Sequence, residues 1–128
     1  MMLGSDLSTQ DDYSAKTPDG SPLWDRAGAL QRVEGDEALL AELVQMFLED
    51  CPRLMHELQE SLSHKDARQL QYSAHALKGA VGNFGAEKVV ASIHRMELLG
   101  KSGRIGEAET LFPVLKEEIL NLQAALVV

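Results

Sequence analysis

The sequence predicts an all-α fold: an antiparallel up-down-up-down four-helix bundle with a short additional N-terminal helix. Three observations carry this expectation. Apolar residues recur at three- and four-residue spacings through four long segments, and no segment shows the alternation of a strand. Asp, Gly and Pro fall between or near the ends of those segments, where helices start and stop. The connections are short, so consecutive helices must pack as antiparallel neighbours.

Residues 1–20, MMLGSDLSTQDDYSAKTPDG, are polar, rich in Ser, Asp and Gly, and without helical period. They read as a disordered tail or linker, with the bundle in residues 21–128. A short first helix is expected within Leu23–Val33, ending near Gly35. Asp36 is placed to cap a long second helix. Its apolar stripe is Leu40, Leu43, Val44, Phe47, Cys51, Leu54, Leu58 and Leu62. Pro52 interrupts that stripe without shifting its phase, which predicts a kink rather than a break. Asp66 and Gln69 form a candidate capping box for the third helix, and Gly85 is its expected left-handed terminator.

The fourth helix is expected over about Ala86–Leu99, with Val89, Val90, Ile93, Met96 and Leu98 or Leu99 inside. Gly100, Gly103 and Gly106 then predict a turn. The fifth helix buries Leu111, Leu115, Ile119, Leu122 and Leu126, with Phe112 at the margin and Pro113 in its first turns. Met46, Met55 and Met96 read as core filler. Cys51, within the apolar stripe, reads as packed rather than reactive.

The 128 residues fit one domain, and 45% apolar content suits a single core. One cysteine allows no internal disulfide, and the expected location is cytoplasmic. No apolar run approaches the roughly 18 residues of a spanning helix, and the start lacks the pattern of a secretory signal. A net charge of −8 argues against nucleic acid as a partner.

The most informative stretch is AHALKGAVGNFGAEKV, residues 74–89. Leu70, Ala74, Leu77, Val81 and Phe84 form the buried stripe of the third helix. His75 points roughly 140° away from it at about 100° per residue. Lys78, Gly79 and Gly82 follow His75 at three, four and seven residues, on its side of the helix. Glycine in a helix interior costs roughly 0.5–1 kcal/mol relative to alanine. Two of them beside an exposed imidazole predict a surface kept bare for close approach. Arg68, Gln71 and Tyr72 flank the histidine on the preceding turns. His56, His64 and His94 read as exposed polar residues without a role.

The run H-A-L-K-G followed by G-x-x-G-A resembles the histidine-containing phosphotransfer (HPt) domains of multistep bacterial phosphorelays. The resemblance extends in arrangement over roughly Pro22–Leu126. It implies that His75 accepts a phosphoryl group from a receiver-domain aspartate and passes it to another. Imidazole is a nitrogen nucleophile near neutral pH. Lys78 would offset phosphoryl charge, Gly79 and Gly82 would admit the receiver, and Asn83 would add a hydrogen bond at the same end. Glu97 falls where family members often carry glutamine; it would fix the imidazole tautomer but also repel phosphate.

The implied partners are response-regulator receiver domains, with a hybrid sensor histidine kinase as a further candidate. The chain has no P-loop, H-E-x-x-H or C-x-x-C motif. The expectation is therefore a monomeric phosphocarrier without autonomous catalysis, with no bound cofactor or metal and no membrane contact. The receiver would bring Mg²⁺. Two alternatives stay open: a structural or adaptor bundle in which His75 never reacts, and the phosphoacceptor domain of a chemotaxis-type kinase.

Overall fold

Aspartate side chains start three of the helices. The computed structural model describes residues 22–127. Within them run α1 (Arg26–Arg32), α2 (Glu37–Ser63), α3 (Ala67–Val81), a 3₁₀ turn (Gly82–Phe84), α4 (Glu87–Lys101) and α5 (Ile105–Leu126). Asp25, Asp36 and Asp66 each accept a hydrogen bond from the backbone N–H three residues on, at 2.9, 3.0 and 3.0 Å. Each satisfies a donor that the first turn leaves without an intrahelical partner. The capping box at α3 forms by half: the Gln69 amide turns to Ser73 Oγ at 3.1 Å instead of returning to residue 66. The expected tail, residues 1–20, lies outside the described residues, as do Ser21 and Val128.

α3 packs against both α2 and α4, and α5 closes the ring against α4 and α2. The result is the four-helix bundle that the spacing predicts, with α1 laid across one end. The core takes one stripe from each long helix: Phe47, Leu54 and Leu58; Leu70, Leu77 and Val81; Val89, Ile93 and Met96; Leu115, Ile119 and Leu122. Burying a side chain of this size stabilises the fold by roughly 1.5–3 kcal/mol, and together these stripes align the helices. Cys51 is packed, and burial pushes its thiol up to about 11.

Phe84 fastens the α1 end. Trp24 and Phe47 meet its ring edge-on at centroid distances of 6.1 and 5.5 Å. Its carbonyl accepts from Asp25 N at 2.8 Å. Gly85 follows in the left-handed region (φ +62°), and a Cβ there would stand 2.7 Å from Asp25 Cβ. The position therefore needs glycine for both conformation and space.

The structure corrects some of these expectations and narrows others. α3 stops at Val81, and residues 82–84 tighten into the 3₁₀ turn before Gly85. As the unshifted phase of its stripe predicts, Pro52 leaves α2 unbroken, and the helix is continuous from residue 37 to 63. Met46 is exposed rather than core, while Met96 is buried. Leu99, not Leu98, completes the buried side of α4. Of the three glycines assigned to the turn, only Gly103 lies in it, at φ +73°. Gly106 sits in the first turn of α5. Gly100 is inside α4, buried, because α3 passes over it: a Cβ at residue 100 would lie 2.7 Å from Gln71 N and 3.0 Å from Ala67 O.

Two alanine substitutions should therefore act in opposite directions. Gly100→Ala forces two backbones apart and should destabilise by about 1–3 kcal/mol, the usual cost of overpacking. Gly79→Ala, where an added Cβ meets nothing within 4 Å, should stabilise by up to about 1 kcal/mol. Urea unfolding of both variants measures the difference. Equal midpoints would contradict the close α3–α4 approach.

Candidate functional site

Antiparallel packing of α3 on α4 builds the site. Moving three residues forward on α3 meets moving three residues back on α4: His75 lies against Glu97, and Lys78 lies against His94. His75 Nδ1 stands 2.8 Å from Glu97 Oε2, and Lys78 Nζ donates to Glu97 Oε1 at 2.5 Å. One carboxylate thus holds two α3 side chains, one on each oxygen. Of these three side chains only the imidazole is open to solvent: His75 is 69% exposed, Lys78 26% and Glu97 15%.

A carboxylate only accepts, so the ring proton of neutral His75 belongs on Nδ1, between the two groups. That leaves Nε2 with its lone pair. The Lys78 hydrogen bond holds the Glu97 carboxyl below its usual range; partial burial opposes this, and the His75 contact adds to the lowering. Glu97 is thus a carboxylate at neutral pH despite its limited exposure.

The face around His75 is open. Added Cβ atoms at Gly79 and Gly82 would each meet nothing within 4 Å. Nothing inside the bundle therefore requires glycine at either position, although Gly79 lies within α3 and costs it stability; Gly82, expected in the helix interior, instead follows the last residue of α3 and opens the 3₁₀ turn. Tyr72 is exposed one turn before His75, with the Arg68 guanidinium 5.9 Å from its ring centroid. Gln71 is half-buried and belongs to the α3–α4 contact, where its backbone faces Gly100. Asn83 is exposed in the 3₁₀ turn. Its carbonyl accepts from the Arg32 guanidinium at 3.1 Å, which ties α1 to the far end of the open face.

His75, Lys78 and Glu97 are therefore brought into one hydrogen-bonded group. Gly79, Gly82, Tyr72 and Arg68 line the surface beside it, Asn83 ends it, and Gln71 contributes to packing. Sequence reasoning passed over His94. Its Nδ1 lies 3.3 Å from Lys78 Nζ and 3.5 Å from Glu97 Oε1. The signal that would have found it is the i, i+3 spacing of His94 and Glu97 on α4, mirrored by His75 and Lys78 on α3. His56 and His64 are exposed on the C-terminal half of α2 and just beyond it, and the His64 ring faces the Glu60 carbonyl. Among the described residues, no group of three or more His, Cys, Asp or Glu side chains is placed to hold a metal ion. No helix among them is long and apolar enough to cross a membrane.

The fold is also that of histidine-containing phosphotransfer protein B from Pseudomonas aeruginosa. The two structures superpose with a TM-score of 0.75 at 23% identity, over 82% of this chain and 91% of the other. In sequence, the chain is 26% identical over 108 residues to the phosphorelay intermediate protein rdeA of Dictyostelium discoideum. That match takes in 84% of this chain but only 42% of the relative, so the chain spans less than half that protein's length. The family model described as Hpt domain matches residues 42–125, a span that contains α3, α4 and the whole His75 cluster. With its four-helix bundle and that match over most of its length, the chain belongs to the Hpt domain family.

Proposed function

We propose that this protein is a phosphorelay carrier whose acceptor is Nε2 of His75. The observation that carries the reading is the 2.8 Å contact between His75 Nδ1 and Glu97 Oε2, on a helix face otherwise left bare. With the proton held at Nδ1, the Nε2 lone pair attacks the phosphorus of a receiver's aspartyl phosphate. The N–P bond forms as the acyl P–O bond breaks, and the aspartate leaves as carboxylate. No proton needs to move. The ring keeps its Nδ1–H and becomes cationic, and Glu97 on that side offsets the new charge. The return step to a second receiver reverses these changes.

This arrangement also answers the concern that Glu97 would repel phosphate. The carboxylate faces one ring nitrogen and the phosphoryl group leaves from the other, while Lys78 already neutralises the Oε1 side. Loose phosphoryl transfer needs charge stabilisation and alignment more than covalent help from the carrier. The receiver supplies Mg²⁺ for that purpose, and the carrier supplies a held imidazole and a nearby ammonium. Gly79 and Gly82 give the receiver access to the α3 backbone, with Tyr72, Arg68 and Asn83 at the edges of the contact. In this reading the domain is monomeric, cytoplasmic and without catalysis of its own.

His75→Gln should remain folded, since exposed polar changes usually shift stability by no more than about 0.5 kcal/mol, yet accept no phosphate. Circular dichroism and transfer from a phosphorylated receiver domain in Mg²⁺ check both halves. Acid-labile label on the variant at the wild-type level would overturn the assignment.

Gly79→Leu should fold but accept the phosphoryl group slowly, because the added side chain obstructs the receiver. A branched side chain one turn from His75 should slow transfer about tenfold or more, equivalent to ~1.4 kcal/mol at the barrier, while the melting temperature stays level or rises. Transfer at the wild-type rate would mean that the bare face does not admit the partner.

A further inference from the structure

Lys78 does not lie free beside His75. Its ammonium is shared between Glu97 Oε1 at 2.5 Å and His94 Nδ1 at 3.3 Å, and the same His94 nitrogen is 3.5 Å from Glu97 Oε1. The three groups form a triangle of ammonium, carboxylate and imidazole, of which the imidazole has a neutral and a cationic form near neutral pH. An ammonium has donors and no lone pair. For Lys78 to donate to His94 Nδ1, that nitrogen has to carry its lone pair, so neutral His94 with an unprotonated Nδ1 is a second seat for Lys78. A protonated His94 has the opposite effect. Its Nδ1–H turns to Glu97 Oε1, where it competes with Lys78 and repels it. The His94 side chain is 53% exposed and therefore in proton exchange with solvent.

We infer that His94 is a positioning residue for phosphotransfer: in its neutral form it holds the Lys78 ammonium beside His75, and in its protonated form it displaces that ammonium from Glu97. The inference rests on the His75 transfer reading and adds a residue that acts through Lys78 rather than on the phosphoryl group. The charged and titratable groups around the His94 ring are Lys78 on α3, Glu97 on its own helix and, through the other oxygen of that carboxylate, His75. Glu97 is held below the usual carboxylate range and so stays charged across the pH span in which a histidine titrates.

The test is the rate of phosphoryl transfer from a phosphorylated receiver to the full chain, measured between about pH 5.5 and 8.5. Wild type is compared with His94→Ala and His94→Asn; the Asn carbonyl stands where Nδ1 stood and does not titrate. Ratios to wild type at each pH remove the pH effects common to all three proteins. At the alkaline end His94→Ala should be about threefold to tenfold slower than wild type, the range of one ordinary hydrogen bond, and His94→Asn should recover most of the loss. Towards the acid end the wild-type advantage over His94→Ala should disappear, while that of His94→Asn persists. In a Lys78→Ala background, His94→Ala should add nothing, because the coupling runs through the ammonium. A His94→Ala rate equal to wild type throughout, a pH-independent ratio, or an undiminished effect without Lys78 would each overturn the inference. Those results would leave His75 as acceptor untouched. Loss of the transfer reading itself would show differently, as undiminished labelling of His75→Gln.

Discussion

The close approach of α3 and α4 at Gly100 is the constraint from which the site follows. A helix pair held this near, with Gln71 N only 2.7 Å from where a Cβ would stand, has little freedom to slide. Fixing that crossing fixes the residues one and two turns away, which are Glu97 against His75 and His94 against Lys78. Large buried side chains on both sides of the contact, Leu70 and Leu77 on α3 and Ile93 and Met96 on α4, lock the rotation of each helix. The polar group on the surface is therefore positioned by the packing beneath it, on rigid helices rather than on a loop. Its rotamers are set before any partner arrives, which lowers the ordering cost of docking.

The electrostatics of that group follow from one carboxylate in a half-sheltered place. Glu97 is mostly covered, so its charge has to be met locally. Lys78 meets it on one oxygen and the His75 N–H on the other. Exposed ion pairs contribute little to stability, and this pair is better understood as orientation than as adhesion. The carboxylate sets which imidazole nitrogen faces out, and it gains an interaction when the ring becomes cationic. The glycines at residues 79 and 82 fit the same logic. Gly79 weakens α3 with no return inside the bundle, and Gly82 leaves the turn after it equally bare, a combination that has meaning only if another molecule comes close.

Much of this was legible in the chain because the period-3.6 patterns are long and undisturbed. The stripes of α2, α3 and α5 read directly onto the core, and His75 reads directly onto solvent. What escaped depended on contacts between helices. Gly100 looks like a helix breaker in sequence; only the passage of α3 over it explains a glycine inside α4. Met46 resembles a core residue by type, yet it lies outside the stripe defined by Phe47 and Leu54 and is exposed. Leu98 and Leu99 differ by one residue, and only the packing of α4 chooses between them. His94 was missed for the same reason: its partner Lys78 is 16 residues away, and nothing local connects them. Glu97 was found because its spacing from His75 matched a family pattern, not because periodicity pointed to it.

The central claim is that Glu97 holds the proton of His75 on Nδ1 and leaves Nε2 as the nucleophile. Long-range proton–nitrogen correlation spectra of uniformly nitrogen-15-labelled protein read this directly, followed by phosphorus–nitrogen coupling after phosphorylation. The account predicts an Nδ1–H tautomer in the resting protein, coupling from phosphorus to Nε2 in the phosphorylated form, and loss of the tautomer preference in Glu97→Ala. A resting Nε2–H tautomer, or phosphorus bonded to Nδ1, would contradict it.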